Sequence, residues 1–243
     1  MPQDDGPARA RHRISHAQEN LRQIVYGGND GIITTFAVVA GFAGAGSGAI
    51  AEVGALAVIL FGLANLFADG VSMGMGEYLS NRSSRDVWAA QHARQMREIA
   101  RHPDREAAQL AWLLRGRGVA EAEADELARL MIRTPAMAAD YMLRAELRLA
   151  APDGGNPVVQ AGFTFGSFLV FGFVPVLPYI LLEASELTFG LSVAATFASL
   201  TMLGLLRWGA TGEGPGRALG ETLGVGGLCA LVAFAVGRLV GGG

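Results

Sequence analysis

Charged residues are absent from five long stretches of this chain: Gly31–Ala51, Val53–Ala68, Gly154–Leu182, Leu187–Leu206 and Thr222–Gly237. A helix that satisfies its own backbone hydrogen bonds crosses the hydrocarbon of a bilayer with roughly 20 mainly apolar residues, at about 1.5 Å each. Extended to plausible ends, the five runs predict membrane helices at 24–46, 53–80, 157–182, 187–207 and 217–239. The first is too long for the apolar core of a signal peptide, and four more follow it. Residues 82–150 carry a different pattern, with 12 Arg, 10 Asp or Glu and only two glycines, Gly116 and Gly118. Apolar positions recur there at helical spacing around Trp88, Ile99, Leu110, Leu113, Leu114, Leu127, Leu130 and Met131. His102–Pro103, Gly116–Gly118 and Pro135 divide that segment into about four short helices. The predicted fold is therefore an all-α integral membrane protein, five transmembrane helices with a cytoplasmic helical insert between the second and third. Its divisions are an N-terminal segment (1–23), two spans (24–81), the insert (82–156) and three further spans (157–243).

Composition agrees. Of 243 residues, 51% are hydrophobic and 17% charged, which excludes a disordered chain. Cys229 is the single cysteine, so no disulfide scaffold can form within the chain. A net charge of −3 argues against nucleic acid as a partner. No phosphate-binding loop, dinucleotide fingerprint or nucleophile triad is present, so nothing points to an enzyme. Orientation is carried by arginine, because lysine is absent. With five spans and an inside N-terminus, the inside segments hold 18 of the 19 arginines, leaving Arg238 outside. The outer loops, near Ser47–Glu52 and Glu183–Glu186, carry acids alone. The bias places the N-terminus and the insert in the cytoplasm and the C-terminus on the opposite side.

Ionisable groups inside a membrane span are costly and point to function. Asp30 lies in Gly27-Gly-Asn-Asp-Gly31 at the start of the first span. It is either an ion site in glycine-rich backbone or an interfacial helix cap. On the second span Asp69, Met73 and Glu77 follow at i, i+4 and i+8, within about 80° of one helix face, and Asn65 extends that face. Two carboxylates with a thioether between them suit a divalent transition metal over Mg²⁺ or Ca²⁺, and carboxylates can exchange metal for protons. Methionine as core filler and Glu77 reaching to the interface are the plain alternatives. Pro175 and Pro178 predict a kink or break in the third span. Glu221 enters the fifth span near its cytoplasmic end. In the insert, Glu98 and Glu106 flank Pro103, and Met142 and Glu146 sit at i and i+4; together they form a weaker candidate metal set. The four histidines, His12, His16, His92 and His102, show no tight ligand spacing.

Specific motifs accompany these residues: Tyr26-Gly-Gly-Asn-Asp-Gly-Ile-Ile-Thr-Thr-Phe36, then Val39-Ala-Gly41, and Ala68-Asp-Gly-Val-Ser-Met-Gly-Met-Gly-Glu-Tyr-Leu-Ser80. Glu146-Leu147, Asn156-Pro157 and Pro175-Val-Leu-Pro-Tyr179 follow in order. From about His16 to the C-terminus the chain resembles the vacuolar iron transporter family. The resemblance implies proton-coupled export of Fe²⁺, with Mn²⁺ next, from the cytosol. It also implies a homodimer with the metal path between the two copies of the first and second spans. No cofactor is implied beyond the transported ion. Asp30 matches the family's first-span aspartate, Met73 its Ser-Met methionine, and Glu77 the acidic position after it. The family's insert binds metal through glutamates and methionines, commonly with Glu-x-x-Glu pairs on its first two helices. Here those positions read Gln95-x-x-Glu98 and Glu106-x-x-Gln109, and a possible second methionine is Leu143. Losing two carboxylates weakens any hold on a dication. A prokaryotic plasma membrane is the expected location. Two other functions compete: a membrane-anchored metal sensor or chaperone working through the insert, and a proton-coupled transporter of an organic solute.

Overall fold

The structure, a computed structural model, describes residues 20–45, 47–152, 154–183, 185–211 and 214–241, with backbone alone at 47–55, 210 and 211. His12 and His16, and most of the predicted N-terminal segment, lie outside the described residues. Every regular element among the described residues is helical: α1 (Leu21–Gly44), α2 (Ser47–Arg101), α3 (Pro103–Arg115), α4 (Glu121–Ile132), α5 (Pro135–Glu146), α6 (Pro157–Phe173), α7 (Leu177–Leu181), α8 (Glu186–Thr211) and α9 (Pro215–Val240).

Three of these are long and apolar enough to cross a membrane: α2 over Leu56–Arg101, α8 over Glu186–Gly209, and α9. With 24 residues, α1 reaches about 36 Å. Gln23, Asn29, Asp30, Thr34 and Thr35 lower its apolar character, which keeps it out of that group. α6 is a shorter apolar helix.

The chain forms two compact units, Leu79–Gly154 and the remainder. In the larger one α1 packs most extensively on α6 and also meets α8 and α9. Close approach explains the glycines of the Gly-Gly-Asn-Asp-Gly motif. A Cβ at Gly31 would collide with the Phe168 backbone, and one at Gly172 would lie 2.7 Å from the Gly31 carbonyl oxygen. Small residues let the helices approach backbone to backbone, the standard source of helix association in lipid. Ile32, Phe171, Leu200 and Leu203 fill one buried cluster, and Phe36, Val39, Ala40, Val58 and Tyr179 another. Buried hydroxyls bond to the preceding turn of their own helix, as Thr196 Oγ1 does to the Ser192 carbonyl at 2.7 Å and Thr222 Oγ1 to that of Ala218 at 2.9 Å.

Several boundaries differ from the sequence reading. The second helix does not stop at 80, because nothing between Gly76 and Pro103 breaks a helix; it continues to Arg101. The outer loop expected at Ser47–Glu52 is already helix. The third span is two pieces, α6 and the five-residue α7, divided at the first of the two prolines. The Pro175 carbonyl finds no amide three residues on, since Pro178 has no N–H. Ser192 Oγ on α8 donates to it instead, at 2.6 Å.

In the smaller unit the end of α2, α3, α4 and α5 enclose a core of Ile99, Leu110, Ala111, Leu114, Ala124, Ala128, Met131, Ala138, Ala139 and Met142. Breaks at His102, Gly116–Ala120 and Arg133–Thr134 follow the proline and glycine signals, with Pro103 and Pro135 in their preferred first-turn positions. Leu127 and Leu130, expected on the apolar face, are exposed.

Candidate functional site

Asp30 lies ten residues into the sequence of α1, well inside the helix; the cap position belongs to Asn20. The capping alternative is thereby removed. Gly27, Gly28 and Gly31 are buried, while Asn29 and Asp30 stay half-buried. Thr34 Oγ1 donates to the Asp30 carbonyl at 2.8 Å, which leaves the carboxylate unengaged by that hydroxyl. Asp30 lies within electrostatic range of Asp69 on α2. Two carboxylates from different helices therefore face the same region, an arrangement that favours a cation or shared proton between them.

Asn65, Asp69, Met73 and Glu77 share one half-buried face of α2, as their spacing predicts. Val71 and Met75, two residues off that face, are about half exposed. At the far end of the stripe, Gln23 Nε2 of α1 donates to Glu77 Oε1 at 3.0 Å. Gln23 is 5% exposed, and its Oε1 has no hydrogen-bond partner among the described residues. A neutral acceptor oxygen thus sits beside a carboxylate on the stripe. Sequence reading missed Gln23, because a lone glutamine at a helix start carries no motif. Among the described residues, no three His, Cys, Asp or Glu side chains converge as a metal site within one chain.

Near the other helix ends, Glu221 accepts from Arg207 Nη2 at 2.8 Å and from Arg217 Nε at 2.9 Å. That fork ties α8 to α9 across their connection and gives Glu221 a structural role.

The insert brings all four of its candidate residues together, and more besides. Gln95, Glu98, Arg105, Glu106, Gln109 and Glu146 line one cavity of about 430 Å³. Glu106, 3% exposed, accepts Gln95 Nε2 on Oε2 at 2.6 Å. On Oε1 it accepts Arg105 Nε at 3.2 Å and Nη2 at 3.0 Å. The same Nη2 reaches Glu98 Oε2 at 2.9 Å, and Gln109 Nε2 donates to Glu146 Oε2 at 2.9 Å. Met142 is 1% exposed in the insert core, its sulfur 3.4 Å from Gln95 Nε2. Arg105 was passed over in the sequence because a search for metal ligands looks for anions. Its hydrogen bond with Glu106, foremost among the causes, raises its pKa above the ordinary arginine value, so its charge is permanent. His92 stacks on Trp88 and meets Asp140 Oδ1 at 3.2 Å, away from these groups.

Comparison with known proteins is consistent with this layout. Residues 21–238 match the family model described as the VIT family. "Vacuolar iron transporter 1" of Arabidopsis thaliana is 32% identical, covering 92% of this chain and 87% of that protein. "Vacuolar iron transporter 2" of Oryza sativa subsp. japonica is 30% identical over 92% and 89%, and "Vacuolar iron transporter" of Plasmodium falciparum 30% over 82% and 74%. These relatives are named for transport, not for a catalysed reaction. A model match across nearly the whole chain, with apolar helices of membrane length, makes this integral membrane protein a member of the VIT family.

Proposed function

We propose that the chain is a transporter, not an enzyme, which exports divalent iron from the cytosol in exchange for protons, with Mn²⁺ as a second substrate. The observation that carries this reading is the facing of Asp30 and Asp69 on α1 and α2, continued along α2 by Met73 and Glu77. The names of the relatives supply the metal. Carboxylate oxygens hold Fe²⁺ and Mn²⁺ equally well, and the Met73 thioether disfavours Mg²⁺ and Ca²⁺. Protonation of Asp30 releases the ion, and metal arrival releases the proton, so one group couples the two flows. α1, α2, α6 with α7, α8 and α9 serve as five spans, and residues 82–156 as the cytoplasmic insert.

A homodimer completes the path. One copy offers no three-ligand group among the described residues, whereas a second copy doubles Asp30, Asp69 and Met73. α2 exposes Ala64, Ala68, Ser72 and Gly76 at four-residue intervals, a face suited to close helix contact in lipid. The membrane in this reading is a prokaryotic plasma membrane, which bounds the cytosol as the vacuolar membrane of the plant relatives does. The insert offers Glu98, Glu106, Met142 and Glu146 as accessory donors of low affinity. A sensor or chaperone working through the insert is disfavoured, since its carboxylates already have protein partners.

The test is metal uptake by proteoliposomes. Wild-type protein moves Fe²⁺ and Mn²⁺; Asp30→Asn and Met73→Ala lose at least tenfold in rate while eluting as the same oligomer. Undiminished flux in a folded Asp30→Asn protein would remove Asp30 from the mechanism.

A further inference from the structure

The polar cluster of the insert has a feature that a vacant metal site would lack: it already contains a cation. The Arg105 guanidinium bridges Glu98 and Glu106, the geometry in which a dication would bridge two carboxylates, and its planar fork suits that task. Both oxygens of the buried Glu106 are taken, one by Arg105 and one by Gln95. Glu146 is taken by Gln109, and Gln95 also covers the Met142 sulfur. Every carboxylate of the cluster therefore accepts from an N–H of the chain. A metal entering here must expel Arg105 and turn both glutamine amides to present oxygen. A buried carboxylate without a partner is strongly disfavoured, so Arg105 is also what allows Glu106 to be buried.

We propose that Arg105 is a tethered cation standing in for a metal ion, so that the insert of this chain folds and persists without metal and holds a metal ion tightly only when Arg105 is removed. The proposal rests on the transport reading only in the choice of ion; it concerns binding to the insert, and loss of transport would leave it standing.

The experiment is equilibrium dialysis of Mn²⁺ against the purified full chain in detergent, comparing wild type, Glu106→Gln, Arg105→Gln and the double variant Arg105→Gln/Glu106→Gln. Wild type and Glu106→Gln bind the same number of ions per chain, because no ion resides at Glu106. Arg105→Gln binds one more, and the double variant loses it again. Thermal unfolding adds a second readout: Mn²⁺ raises the midpoint of Arg105→Gln above its value in chelator by more than it raises that of wild type. Loss of a bound ion on Glu106→Gln in the wild-type background would overturn the proposal, and so would a folded Arg105→Gln that gains none. Should Arg105→Gln fail to fold, the comparison of wild type with Glu106→Gln decides alone.

Discussion

Replacing Gly31 with alanine sets two effects of known size against each other. Alanine is favoured over glycine within a helix by about 1 kcal/mol, so an unobstructed site would be stabilised. Gly31 is not unobstructed. An added Cβ would lie 3.0 Å from both the Cα and the carbonyl carbon of Phe168, and closer still to its oxygen. These are backbone atoms of α6, which cannot rotate away as a side-chain tip can, so α1 and α6 must separate. Overpacking of this kind costs about 1–3 kcal/mol, and here it also strips contacts from Ile32 and Phe171. We expect Gly31→Ala to be destabilised by about 1–2 kcal/mol after the propensity gain. Gly190 in α8 has nothing within 4 Å of its would-be Cβ, so Gly190→Ala is expected to be neutral or stabilised by up to about 1 kcal/mol. Denaturation of both proteins in the same detergent, followed by circular dichroism, gives the comparison. If Gly31→Ala proved as stable as Gly190→Ala, direct backbone packing of α1 on α6 would be refuted, and with it the basis for how Asp30 is positioned.

Three further outcomes follow from the structure. Ser192→Ala strands the Pro175 carbonyl, whose bond from Ser192 is 2.6 Å, and should cost about 1–3 kcal/mol in the same denaturation assay, while Thr201→Ala on an exposed hydroxyl should cost far less. Met73→Ala should cut metal flux, whereas Met75→Ala, two residues away and 53% exposed, should leave flux within about twofold of wild type. Arg217→Ala removes the more exposed arm of the Glu221 fork and should cost no more than about 1 kcal/mol, because solvent already screens that pair.

The apolar runs were legible because charge in hydrocarbon is so costly that its absence over 20 residues has few other causes. The insert's breaks were legible at Pro103, Gly116–Gly118 and Pro135, where backbone chemistry leaves little choice. The end of α2 was not, since charges at Arg82, Arg85 and Asp86 look like a boundary although they interrupt no helix. Asp30 was ambiguous because an aspartate near an expected helix start reads alike as a cap or an interior group. Only the three residues by which α1 starts earlier than 24 begin to separate the two. The spacing of Asp69, Met73 and Glu77 carried over directly, as one helix face must. Arg105 was not legible as part of the cluster: it sits seven residues from Glu98, and only the reversal at His102–Pro103 brings it back over that carboxylate. Met142 was legible as apolar or as a ligand; its near-complete burial shows it packing in the core.

Metal exchange for protons through Asp30 is the central claim, and flux under an imposed pH gradient tests it most directly. Proteoliposomes with a lumen more acidic than the bath should accumulate Fe²⁺ against its gradient, with the lumen alkalinising in step. Collapsing the gradient with an ionophore should abolish accumulation, and Asp30→Asn should show neither metal nor proton movement. Metal entry at the same rate with and without the gradient, and no accompanying proton release, would contradict the account.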